Sequence, residues 1–220
     1  MSQLLVVAGI LAVFGAIVYL GIMQERKRAA AMQQLATVMG FSYAKDDSGV
    51  GLPPRAVTLP LFDRGHSRKA KNLLGGTLAD HPVTVLDYTY VTGSGKNRST
   101  HRQTVALFSE AASGLPDLEM APENIFHKIG AAFGYQDIDF PDDEEFSKRY
   151  LLRGSDEAAI RDSFTPAARM LLAQSPGWSV QTKDGAVALF HAGRLWKPEA
   201  MPQRLADALS VLNRLERAGG

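Results

Sequence analysis

The sequence predicts an α+β protein: a single amino-terminal transmembrane helix, then a mostly antiparallel sheet with helices packed on one face. Three observations carry this expectation. The chain starts with one unbroken apolar run, continues with short Val-, Thr- and Tyr-rich segments separated by turn residues, and ends in stretches of helical periodicity.

The apolar run extends from Leu4 to Met23 and contains no ionisable side chain except Tyr19. About 20 residues rising about 1.5 Å each cover the ~30 Å hydrocarbon layer of a bilayer. A cleaved signal peptide would carry its positive charges ahead of a shorter apolar core and a small-residue cleavage site behind it. Here the basic residues Arg26, Lys27 and Arg28 follow the run, and Ala29-Ala30-Ala31 is poorly placed for cleavage. The expectation is therefore an uncleaved anchor. Because Lys and Arg are retained on the cytoplasmic side, the three basic residues place the carboxyl-terminal bulk inside. The expected location is a prokaryotic cell (inner) membrane, spanned once. The divisions that follow are an outer amino terminus over 1–3, the span over 4–23, a helical stalk over 24–40, a linker over 41–56 and a cytoplasmic α+β domain over 57–220.

Helix formers continue from Arg26 to Met39, and Gly40 supplies a stop. Lys45 to Pro54 is a cluster of turn formers without apolar periodicity. Strands are predicted over Asn72 to Leu78, Val83 to Val91 and Gln103 to Phe108, with reversals at Asp80-His81-Pro82 and Gly93-Ser94-Gly95-Lys96-Asn97. Ala121 to Phe133 has helical spacing, and Phe146 to Leu152 reads as a further strand. Ser155 is a candidate N-cap for a helix that Thr165-Pro166 breaks or kinks before Gln174. Trp178 to Gln181 and Val187 to His191 form a hairpin around Lys183-Asp184-Gly185. From Pro198 to Leu215, Leu205, Leu209, Leu212 and Leu215 make a stripe suited to packing on the sheet.

The remaining 200 or so residues are enough for a domain with a real core. A net charge of +1 gives no overall drive toward nucleic acid, and no nucleic acid partner is expected. Absence of cysteine excludes disulfides, thiolate-bound zinc, a cysteine nucleophile and a lipidated-cysteine anchor. The 93–97 turn is not a phosphate-binding loop, because Tyr90 and Asn97 stand where such a loop needs Gly and Ser or Thr. His66, His81, His101, His127 and His191 have no metal-ligand spacing. The acidic stretch Asp137, Asp139, Asp142, Asp143, Glu144 and Glu145 lacks the order of an EF-hand and reads as a solvated loop. No metal or cofactor is implied.

Three features remain as candidate sites. Strand alternation puts Asp87 on a face with Val83, Val85 and Val91; if His101 and Gln103 share that face, Asp87 and His101 form an acid–base pair. Arg64, Arg68, Lys69 and Lys71 form a basic patch for contact with anionic lipid. Ala8, Ala12 and Ala16 recur every four residues along the span and would let a second helix approach closely. The expected partners are the lipid bilayer, another membrane or cytoplasmic protein, and a second copy through the span. With no chemical motif at its required spacing, the expected function is a non-catalytic binding or scaffold module. The alternative is a membrane-anchored, hydrolase-like enzyme using Asp87 and His101.

Overall fold

A computed structural model describes residues 2–48, 51–109, 114–125 and 137–216. Helix α1, Ser2–Met39, runs without a break from the apolar run into the domain. It ends as the sequence requires, at Gly40, whose positive φ of 69° closes a Schellman turn. The Phe41 amide donates to the Ala36 carbonyl at 2.8 Å and the Gly40 amide to Thr37 at 3.3 Å.

The eight strands are β1 Ser42–Asp46, β2 His66–Leu78, β3 His81–Thr92, β4 Ser99–Phe108, β5 Leu118–Pro122, β6 Tyr150–Gly154, β7 Trp178–Lys183 and β8 Ala186–His191. They form one antiparallel sheet in the order β1-β2-β3-β4-β8-β7-β5-β6. The β7–β8 turn puts Asp184 (φ 51°) and Gly185 (φ 78°) in the left-handed region, as a tight type I′ hairpin demands. The other helices are α2 Pro60–Asp63, α3 Glu144–Arg149, α4 Glu157–Ser163, α5 Pro166–Gln174 and α6 Met201–Glu216.

Alternation along the strands sends side chains to two cores. On one face Val83, Val85, Phe108, Met120 and Val180 pack with residues of α1 and α3 to α6. On the other, Leu86, Tyr88, Tyr90 and Phe190 are covered by Ala56, Leu59, Leu61 and Phe62. The α+β class and the helices gathered on one face are as expected; among the described residues the four-residue α2 and the 3-10 turn Ala56–Thr58 before it lie on the second face. The leucine stripe of α6 packs into the first core, and Thr165 caps α5 through the Ala168 amide at 3.3 Å.

Several elements depart from the sequence reading. The linker of 41–56 contains edge strand β1, paired with β2 from Ser42 to Asp46. The stalk is part of the core, because Met32 and Ala36 are buried against the sheet. Strand β2 begins at His66, six residues before the predicted start, since the charged segment 66–71 pairs with β3 whatever its polarity. Phe146 is not in a strand: Asp143 caps α3 by accepting the Phe146 amide at 3.1 Å, and acids in its first turn with Lys148 and Arg149 in its last suit the helix dipole. The strand starts only at Tyr150. The cap of α4 is Asp156, which accepts the Ala159 amide at 3.0 Å, and not Ser155. Ala121 and Pro122 end β5; most of the helix predicted over 121–133, with His127, lies outside the described residues.

Candidate functional site

The site begins where α1 meets the sheet. Residues 24–27 are exposed, and Arg28 is the first charged residue of α1 to be partly buried against the strands. Its guanidinium grips Asp87 with two hydrogen bonds, Nε to Oδ2 at 2.7 Å and Nη2 to Oδ1 at 2.6 Å. A third, from Nη1, goes to the Trp196 carbonyl at 2.9 Å. Asp87 also accepts from Asn72 and Thr104, each at 2.9 Å. Asn72 is aimed there by a bulge in β2, where it takes φ 51°, and it accepts in turn from the Tyr43 hydroxyl at 3.0 Å. A carboxylate that is only 9% exposed is thus fully satisfied and holds α1, β1, β2, β3 and β4 together.

Between this clamp and the apolar run, α1 and the ends of β1 to β4 enclose a groove of about 560 Å³. Arg26 and Arg28 contribute from α1, Lys69 and Lys71 from β2. Lys45 of β1, Arg98 ahead of β4 and Arg102 within it complete the cationic lining. Seven cations face three carboxylates, Glu25, Asp46 and Asp87, in a chain whose net charge is only +1. Arg28 is held by Asp87, and Lys71 pairs with Glu25 at 3.1 Å. The side chains of Arg26, Lys69, Arg98 and Arg102 make no ion pair or hydrogen bond among the described residues, and all four residues are exposed.

The predicted basic patch is therefore split. Lys69 and Lys71 line the groove, but Arg64 is largely buried beside Tyr90 of the second core, ion-paired with Glu119, and burial lowers its pKa. Glu119 also accepts from Gln181 at 3.0 Å. Arg68 turns to the Phe62 carbonyl at 2.6 Å and to Asp63. Lys27 points to solvent. Lys45, Arg98 and Arg102 were missed. The alternation of Lys69 with Lys71 and of Arg98 with Arg102 was the available signal, since every second strand residue shares a face.

Asp87 and His101 are not brought together. The register pairs Asp87 with Thr104 and Tyr90 with His101, so the two side chains leave opposite faces of the sheet. His101 stacks on Tyr90 with centroids 4.7 Å apart and its Nε2 lies 2.8 Å from the Thr92 hydroxyl; burial and the nearby Arg64 charge lower its pKa. Thr104, not Gln103, is the cross-strand neighbour of the carboxylate.

The acidic stretch is more than a solvated loop. Asp142 and Asp143 both bind the buried Arg169 of α5, whose guanidinium lies 4.4 Å over Phe140. Asp137 accepts the Leu152 amide at 2.9 Å, and burial raises its pKa. Among the described residues no group of His, Asp and Glu has the arrangement to hold a metal ion. Along α1, Ala12 and Ala16 are exposed with nothing packed on them; the side chain of Ala8 lies outside the described residues.

The fold and the groove define a class: an α+β protein led by a helix long and apolar enough to cross a membrane. Among solved structures, the fold is similar to that of the mycobacterial trehalose monomycolate transport factor A, TtfA, with a TM-score of 0.60 over 88% of this chain and 94% of that one, at 8% identity. No protein-family model matches the sequence, and a search of curated proteins finds no match.

Proposed function

We propose that this is a single-pass, membrane-anchored, non-catalytic binding module that works at the cytoplasmic surface of the membrane. The observation that carries the reading is the continuity of α1, which passes from an exposed apolar run to a core helix and is clamped to the sheet by Arg28. Cleavage at Ala29-Ala30-Ala31 would strip Arg28 from Asp87 and leave a buried carboxylate without its cation. That supports an anchor that is kept. Arg26, Lys27 and Arg28 support an inward-facing domain. The engagement of Asp87 by three side chains supports a structural role for it over a catalytic one. The likeness of fold to a transport factor supports a partner within a membrane transport assembly.

Two measurements test this. Protease added outside intact cells should leave the domain whole, and protease added after permeabilisation should degrade it. Crosslinking with mass spectrometry in native membranes should recover a reproducible transport component. Digestion from outside, or a mature chain starting after Ala31, overturns the reading.

A further inference from the structure

We infer that the groove beside α1 binds the phosphate group of an anionic phospholipid from the leaflet that the domain faces. The inference rests on the proposed anchoring of α1 and adds a ligand to it.

Depth is the first argument. Met23 ends the apolar run, and Arg26 and Arg28 follow it by about 4.5 and 7.5 Å at the α-helical rise. The headgroup layer on each side of the hydrocarbon is about 5–7 Å thick, so Arg26 falls within that layer and Arg28 at its outer edge. Ile22, still within the apolar run, lines the same groove.

Charge is the second. Two of the groove's cations, Arg28 and Lys71, are paired internally. Arg26, Lys69, Arg98 and Arg102 instead converge from three separate segments, and among the described residues none of them is ion-paired with a carboxylate. Like charges gathered in one concavity repel, and an anionic ligand offsets that cost. Guanidinium and ammonium donors are the groups that recognise phosphate oxygens. Ser67, Thr89 and Thr100 add hydroxyls to the lining.

The rim is the third. Ile22 and Leu195, which is 39% exposed, give the groove an apolar border suited to the glycerol and upper acyl chains. The lining has no aromatic side chain on which a base could stack, so it does not have the form of a single-strand nucleic acid site.

Free phosphate shares the headgroup's chemistry, and the experiment separates the two. The full chain, purified in neutral detergent, is titrated with phosphatidylglycerol and with phosphatidylcholine, and bound lipid is counted by native mass spectrometry. Phosphatidylglycerol should be retained in preference, and Lys69→Gln with Arg102→Gln should weaken its binding about 30-fold. Both residues are exposed and unpartnered, so the variant should unfold at the temperature of the parent. Lys183→Gln, at the end of β7 away from the groove, should bind as the parent does. Equal retention of the two lipids, or a preference that survives the double substitution, overturns the inference. Displacement of the lipid by millimolar inorganic phosphate overturns it in favour of a soluble anion. Lipid counting in detergent does not depend on membrane topology, so a failure here is distinguishable from a failure of the protease test.

Discussion

Replacing Asp87 with Leu should destabilise the protein by about 3 kcal/mol, and adding Arg28→Met should restore much of that loss. Breaking a buried ion pair from one side costs about 3–5 kcal/mol, because the surviving charge stays desolvated. Arg28 is 19% exposed and borders the groove, so water reaches it and the lower figure applies. Asn72 and Thr104 also lose their acceptor. Arg28→Met alone should cost about 2 kcal/mol, since Asp87 keeps those two donors. In the double variant no charge is stranded and two apolar side chains meet, for a cost of about 1–2 kcal/mol. Urea titration of the full chain in micelles would measure this through Trp178 and Trp196, both buried. A double variant as unstable as the two single variants summed would refute the argument that Arg28 and Asp87 act as one unit.

The pH dependence of stability should report on His191, which packs against both Trp178 and Trp196 and whose pKa is lowered to about 4 by burial and by Arg204 and Arg194. The folded state favours the neutral ring, so this stabilisation is complete above pH 6.5 and is lost as pH falls from there through 4. Discounted for partial solvent access, it amounts to about 2 kcal/mol, and in His191→Phe the acid-side decline in urea titrations should shrink by that much. Arg169→Lys should cost about 2–4 kcal/mol by the same titration, because an ammonium cannot serve Asp142, Asp143 and the Phe164 carbonyl while stacked on Phe140. For the span, Ala12→Ile should lower the signal of a membrane-helix association reporter several-fold; an unchanged signal removes self-association through that face.

Legibility followed the range of the physical signals. The apolar run, the β7–β8 hairpin with its Asp184-Gly185 turn and the Thr165-Pro166 break are set by neighbours in sequence, and they stand where the residues put them. Phe146 misled because one buried aromatic fits a helix or a strand, and the deciding group was a cap three residues earlier. Asp87 was legible as an unusual inward carboxylate, but its partners were not. Arg28 is 59 residues away, and the bulge that aims Asn72 leaves no sequence signature. The groove was half visible in Lys69 and Lys71; Arg98 and Arg102 joined it only through the register of β3 with β4.

Helix α1 has no hinge between its two environments. Its 38 residues, about 57 Å at the α-helical rise, behave as one shaft with the sheet bolted to its carboxyl-terminal end. A span tilts to match the thickness of the layer it crosses, so a 10° change in tilt swings one end of this shaft by about 10 Å relative to the other. The domain must turn by the same angle. On the proposed anchoring, bilayer thickness therefore sets the angle at which the sheet stands against the lipid surface.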